Sequence, residues 1–261
     1  MMWSVGSEAR TLLFCAHPDD ETIGAASVML RGRDVFVIYL TDGAPRERRF
    51  WPAKQRSRSA YARTRRREAA TALQIAGVSP ERMFCLGVPD QEAILQASAI
   101  TKNFAELVGR ISPAVVVTHP YEGGHPDHDA AALVAALGLR ALRQSRVRPV
   151  LMEMTSYHAG QGGLRTGEFL RGHSEREQVI KLTSSEVEQK RRMFEAHESQ
   201  REVLRVFGVS EERFRRAPRY AFSNPPHTGQ LWYERLGWVM TGPIWRNWAR
   251  KAVAEMEHRC V

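Results

Sequence analysis

Cysteine is scarce in this chain, three residues in 261, and three thiols cannot all pair with one another. Cys15 and Cys85 fall within apolar runs that read as strands, where a thiol behaves as a small hydrophobe. The sparse usage excludes a disulfide scaffold and gives a reducing, cytoplasmic setting as the expectation. No long uninterrupted apolar run is present, so no helical membrane span is expected. Met1–Arg10 lacks the basic-then-apolar layout of a secretory signal. Also missing are a glycine fingerprint after the first strand and a Gly-Lys-Ser/Thr phosphate cradle. Gly160–Gly163 has neither context, which argues against a non-hydrolytic nucleotide-binding domain. There is no low-complexity linker, and no internal repeat apart from the paired motif described below.

Acidic residues are outnumbered: Asp and Glu total 29 against 38 Lys and Arg, a net charge of +9. The excess is concentrated between Arg46 and Arg67, with Phe50, Trp51 and Tyr61 interleaved. Such a stretch suits a nucleic-acid backbone, but no recognised nucleic-acid module accompanies it, and nucleic acid is set aside as a partner. A nucleotide-sugar diphosphate, a phospholipid head group or another anionic sugar fits the same charge.

Strand and helix patterns alternate through the first 160 residues. Strands are expected at Thr11–Ala16, Asp34–Leu40, Met83–Leu86, Val115–Thr118 and Pro149–Ser156, near-continuous in apolar residues as buried parallel strands are. Helices are expected at Glu21–Arg31, Ala60–Ala76 ending at Gly77, Gln91–Arg110 and Asp127–Arg143, with Pro45–Ser59 an exposed loop or flap. The alternation predicts an α/β fold, a Rossmann-like and mostly parallel sheet with helices on both faces. One domain spans 1–261, with a core over about 11–160 and a C-terminal elaboration over 161–261. In that elaboration Leu182–Phe207 reads as helical, and Pro218–Trp248 is rich in Pro, Gly and aromatics. Trp232, Tyr233, Trp238, Trp245 and Trp248 suit a sugar platform, a lid, a homo-oligomer face or plain packing.

Two stretches carry the chemistry. Cys15-Ala16-His17-Pro18-Asp19-Asp20-Glu21 ends the first strand, and His125-Pro126-Asp127-His128-Asp129 follows the fourth. A buried strand has no structural use for several titratable groups at its end, and loops after strand carboxyl ends face the ligand crevice of α/β folds. Asp19 or Asp20 alone reads equally as a helix cap. The pairing of the two stretches, each after a strand and each opening a helix, favours one shared site. His17 and Asp20, like His125 and His128, are three apart and face the same way on a turn. Such nitrogen and oxygen donors, without cysteine, favour zinc or a related divalent ion, which in hydrolytic sites takes about three protein ligands and one open position. His119, at the end of the fourth strand, is a spare ligand or a packing histidine.

His17-Pro18-Asp19-Asp20-Glu21 paired with His125-Pro126-Asp127-His128 resembles the PIG-L/LmbE-like family of zinc-dependent N-acetylglucosaminyl deacetylases, over roughly residues 11–160. The resemblance implies that His17, Asp20 and His128 hold Zn2+ or another divalent metal. It also makes Asp19 the general base, and His125 the group that stabilises the oxyanion or protonates the leaving amine. Asp127 is placed to orient a histidine. The substrate implied is a small-molecule or lipid-linked amino sugar losing its acetyl group; the same site suits an amidase that cleaves a larger N-acyl or conjugate amide. Some relatives carry a tyrosine where Gly123 stands, so either Tyr121 reaches the oxyanion from a differently shaped loop or His125 acts alone. Arg65 and Asp90 occupy positions comparable to family substrate contacts. Without the resemblance, Arg65 reads as part of a solvated basic helix face and Asp90 as a helix cap.

Overall fold

The computed structural model describes residues 8–142 and 147–258. The expected reach of one helix to Arg143, and the first seven residues, lie outside them. Strands β1 (Thr11–Cys15), β2 (Val35–Pro45), β3 (Met83–Asp90), β4 (Val115–Thr118) and β5 (Val150–Met154) form a parallel sheet in the order β3-β2-β1-β4-β5. Their runs of Val, Leu, Ile and Phe are buried on both sides because helices cover both faces. Along β1, Leu12 and Phe14 point to one layer and Leu13 and Cys15 to the other. The first layer holds helices α4 (Ala97–Ile111), α5 (Pro126–Ala141) and α9 (Gly242–Glu257), contributing Phe104, Leu133 and Trp245. The second holds α2 (Ala26–Arg31), α3 (Arg58–Ile75) and α6 (Ser184–Ala196), contributing Met29, Leu73 and Met193. Each such side chain withdrawn from water contributes ~1.5–3 kcal/mol.

Several boundaries differ from the sequence expectation. The helix expected over Glu21–Arg31 is two, α1 (Asp20–Gly24) and α2, broken at Ala25. At the break Gly24 presses on the end of β5, where an added Cβ would lie 2.8 Å from the carbonyl oxygen of Thr155, the residue after the strand. Leu182–Phe207 is likewise not one helix: α6 stops at the wholly buried His197, and a 3-10 turn leads into the single turn α7 (Arg201–Leu204). Cys85 lies exposed on edge strand β3 and not in the core.

The C-terminal elaboration adds sheet, which its sequence did not signal. After the hairpin of β6 (Tyr157–Gly160) and β7 (Gly163–Thr166), β8 (Gln178–Lys181) and β9 (Glu211–Arg216) extend the main sheet antiparallel beside β5. Glu-Glu-Arg-Phe-Arg-Arg does not read as a strand, yet Glu212 and Arg215 are buried because each is paired. Lys190 Nζ lies 2.7 Å from Glu212, and Arg215 Nε lies 2.9 Å from Glu153. The short helix α8 (Trp232–Arg235) and the start of α9 were hidden in the Pro- and aromatic-rich stretch; Trp245 of α9 donates its indole N–H to the Pro126 carbonyl at 2.9 Å.

Chain order reverses direction between β1 and β4, which are neighbours in register at Leu13 and Val117. A crevice opens at such a switch point, beyond the strand carboxyl ends. The two motif loops leave from these two strands and meet there.

Candidate metal centre and active site

Asp20 stands at the middle of the cluster. Its Oδ2 accepts the His17 backbone N–H at 2.7 Å, and its Oδ1 lies 3.2 Å from His128 Nε2. His17 Nδ1 is 3.5 Å from the same carboxylate. Ligand atoms of His17, Asp20 and His128 all lie within 4.8 Å of one another, and all three residues are buried. The His128 ring is fixed from behind by Ser156 Oγ, 3.2 Å from Nδ1, which leaves Nε2 turned to Asp20. His119 stacks on His128 with ring centres 4.0 Å apart and sits 3.1 Å from Asp20 Oδ2, beneath the cluster and not on the cavity wall.

A second ring of contacts braces the first. His17 Nε2 lies 3.2 Å from Asp90 Oδ1 and 3.3 Å from Asp127 Oδ2. Asp127 is itself held by the backbone N–H groups of Gln91 and Ala93, at 2.6 and 3.1 Å. Its carboxylate therefore orients His17, with His125 Nδ1 at 4.0 Å. His125 Nδ1 accepts the Asp127 backbone N–H at 3.1 Å, which places the ring proton of the neutral imidazole on Nε2, 3.5 Å from Asp90 Oδ1. His17, Asp90, His125 and Asp127 also bring ligand atoms within 4.8 Å of one another. In that group both Asp127 oxygens and one His125 nitrogen are already taken by backbone donors, whereas His17, Asp20 and His128 converge with two nitrogens and one carboxylate. That donor set fits a divalent cation with a position left for water.

Burial and neighbours separate the titrations. Burial pushes Asp19 up to about 6, against the pull of Arg65. Burial alone would raise Asp20 too, but His128 and His119 hold it well below the ordinary carboxylate range. Burial, with His119 beside it, pushes His128 down to about 3. His125 falls well below the usual imidazole value for the same reason, with His17 nearby. His17 moves the other way: burial would lower it, and Asp90 and Asp127 raise it well above. Neutral His128 beside an ionised Asp20 is the protonation state a cation needs.

Asp19 and Asp20 are adjacent, yet they part company. Asp20 turns into the histidine cluster, while Asp19 Oδ2 sits 3.0 Å from Arg65 Nη2. Asp19 makes no side-chain cap bond to α1, so the helix-cap alternative is not what the structure holds. Arg65 is not on the solvated face of α3. It is 3% exposed and also donates to the Pro18 and Gly43 carbonyls, at 2.8 and 3.4 Å. Its neighbours Arg63, Arg66 and Arg67 do face water.

The cluster floors a cavity of about 380 Å³ whose wall includes Asp19, Arg65, Asp90, His125, Tyr157 and Trp238. Tyr121 is not on that wall. It is 3% exposed, stacks on Trp245 and donates its hydroxyl to the Asn224 carbonyl at 2.8 Å.

Two tyrosines do line the cavity, Tyr61 and Tyr157, and the ring centre of Tyr157, which no sequence signal marked, lies 5.1 Å from that of His128. Tyr157 arrives through close packing: a Cβ on Gly124 would collide with the Tyr157 carbonyl oxygen. Ser156, behind His128, was equally invisible, since a serine ending a strand has no distinguishing pattern. Trp238 is set edge-on to His125 at 4.8 Å and to Phe50 at 6.1 Å, joining the C-terminal elaboration and the basic loop to the site.

Residues 12–137 match the family described as PIG-L, GlcNAc-PI de-N-acetylase. The chain is 28% identical over 153 residues to the probable N-acetyl-alpha-D-glucosaminyl L-malate deacetylase 2 of Bacillus subtilis, covering 56% of this chain and 68% of that one. It is 31% identical over 172 residues to the 1D-myo-inositol 2-acetamido-2-deoxy-alpha-D-glucopyranoside deacetylase of Kineococcus radiotolerans, covering 53% of this chain and 48%, about half, of that protein's length. Among solved structures, a deacetylase of teicoplanin biosynthesis superposes with a TM-score of 0.59 at 17% identity, covering 81% of this chain and 99% of that one. The shared fold does not fix the reaction. A 4-carboxy-2-hydroxymuconate hydratase from Pseudomonas putida superposes at 0.54 with 14% identity, covering 81% and 98% of the two chains. The paired motifs and the switch-point cluster they build both lie within residues 12–137, the stretch that is similar to the PIG-L family.

Proposed function

We propose that the protein is a metal-dependent N-deacetylase that removes the acetyl group from an N-acetylglucosamine-type sugar derivative. The observation that carries the reading is the convergence of His17, Asp20 and His128 at 4.8 Å or less, with Asp19 and His125 on the wall of the same cavity. The names of the curated relatives support the substrate class.

His17, Asp20 and His128 would hold the cation, zinc by their donor chemistry. When bound, it polarises the amide carbonyl and lowers the pKa of water toward neutrality. Asp19, brought to about 6 by burial, accepts the proton from the attacking water near neutral pH. Arg65 holds that carboxylate in place from the side away from Asp20. The protonated Nε2 of His125 donates a hydrogen bond to the developing oxyanion, a contact whose loss typically costs ~10²–10³ in turnover. The proton taken by Asp19 then passes to the departing amine, and acetate and a free aminosugar leave. Asp90 keeps His17 and His125 oriented, and Trp238 offers an aromatic wall to the sugar ring.

The test is a screen for primary-amine release across N-acetylated aminosugars that are free, nucleotide-linked, lipid-linked and thiol-linked, run beside larger N-acyl amides. The reading requires release of acetate from at least one aminosugar, lost on chelation. Cleavage of only the larger acyl groups would replace it with an amidase.

A further inference from the structure

The cavity mouth is more apolar and more exposed than a sugar needs. Seven large hydrophobic residues are exposed among the described residues, and three of them, Val203 (52%), Val206 (53%) and Leu236 (45%), line this one opening. A fourth, Val239 at 79%, directly follows in sequence the wall residue Trp238. Single exposed hydrophobics are ordinary, but several gathered round one opening mark an interaction surface. The turn α7 shows that the pattern is not leftover core. Leu204 points inward and is 3% exposed, while Val203 and Val206 face out on either side of it.

Cations border this apolar rim. Arg49 lies over the Phe50 ring at 4.7 Å and Arg235 over Trp232 at 5.8 Å, and both rings belong to the cavity wall. Residues 46–58 carry six cationic side chains and one acid, Glu47. Within that stretch Arg48 and Arg56 are exposed and enter no ion pair among the described residues. Arg201 and Arg205 are interleaved with Val203 and Val206, and the local acids are Glu198 and Glu202, the latter paired with Arg205. Aliphatic side chains that can enter an acyl boundary, aromatics at their edge and arginines able to reach phosphates form the arrangement of a surface that lies on a bilayer. No helix of the described residues is long and apolar enough to cross one.

We propose that the rim formed by Phe50, Val203, Val206, Leu236 and Val239, with Arg48 and Arg56 beside it, docks the protein on an anionic lipid surface and holds the cavity mouth at head-group level. Charge complementarity selects this occupant over a second copy of the chain, because two basic rims facing each other would repel. The surface goes beyond the deacetylase reading and does not depend on it.

Co-sedimentation of the metal-loaded protein with vesicles tests the surface without any turnover. One set is phosphatidylcholine alone and the other phosphatidylcholine mixed with phosphatidylglycerol. The wild type should bind the anionic vesicles and leave the neutral ones, and added salt should weaken binding. Arg48→Glu with Arg56→Glu, and separately Val206→Asp with Val239→Asp, should each weaken it ~10-fold or more. Val239→Ser, at a side chain almost wholly in water, repeats the apolar arm should the double variant not fold. Absence of wild-type binding, equal binding to both vesicle types, or affinity unmoved by every substitution overturns the proposal. So does a dimer that forms through the rim and leaves it closed to vesicles. Because binding is read apart from amine release, failure of one assay leaves the other standing.

Discussion

Asp19 and Arg65 are joined by a buried ion pair, carboxylate to guanidinium at 3.0 Å, in which the arginine is also tied to the Pro18 and Gly43 carbonyls. One side chain therefore fixes the proposed base, the loop that carries it and the end of β2. Arg65→Met removes the cation paired with Asp19, so the carboxyl titrates higher than about 6. The acidic limb of the kcat/KM profile should move to higher pH, because more protons must leave before the base is free. Activity near neutrality should fall ~10–100-fold, as for other groups that orient a working side chain. Metal content should be unchanged. A profile that keeps its limb shows that Arg65 does not act on Asp19.

Asp127 braces His17 through Oδ2 while Gln91 and Ala93 hold both of its oxygens. Asp127→Asn keeps the size and removes the charge. Metal affinity should drop ~10–100-fold, read by competition with a chromophoric chelator. His119→Gln, beneath Asp20, should change affinity less, because His119 is not among the three converging ligands.

Glu122 and Glu153 share one cation, Arg215, at 3.3 and 2.9 Å. Burial raises Glu122 to about 7 and Glu153 to about 8, both above the 4.5 of the free side chain. The folded protein thus holds protons that the unfolded chain has released, and stability falls as pH rises from about 5 to about 8. Glu122→Gln leaves Arg215 to Glu153 alone and should flatten that decline. Thermal unfolding of the two proteins across this range measures it; parallel slopes would contradict it.

Lys190 is wholly buried and bonds Glu212 at 2.7 Å and the Ile23 carbonyl at 2.8 Å, while Glu212 caps Ala26 and Ser27 at the start of α2. Lys190→Met leaves a buried carboxylate without its cation and should cost ~3–5 kcal/mol in chemical denaturation. The double change Lys190→Met with Glu212→Gln should recover part of that loss.

The strands were legible where burial on both faces leaves unbroken apolar runs, as in Leu12–Cys15 and Val115–Val117, and the order of elements gave the parallel sheet. The site was legible because His17, Asp20, His125 and His128 have no structural use at strand ends. What stayed hidden rests on long-range pairing. The strand β9 is charged in sequence, and its Glu212 and Arg215 are buried against Lys190 and Glu153, partners 22 and 62 residues away. Arg65 is indistinguishable from Arg63 and Arg67 until the register of α3 turns it inward. Tyr121 was the reasonable candidate by distance along the chain, but it packs on Trp245, and Tyr157, seated against Gly124, lines the cavity.

The division of labour between the two neighbouring acids is the central claim, and one paired measurement reaches it: bound metal and amine release, side by side, for Asp19→Asn and Asp20→Asn. The account predicts that Asp19→Asn retains the metal and loses turnover by ~10² or more, whereas Asp20→Asn loses both. An Asp19→Asn protein as active as the wild type, or one that loses its metal while Asp20→Asn keeps it, would contradict the account.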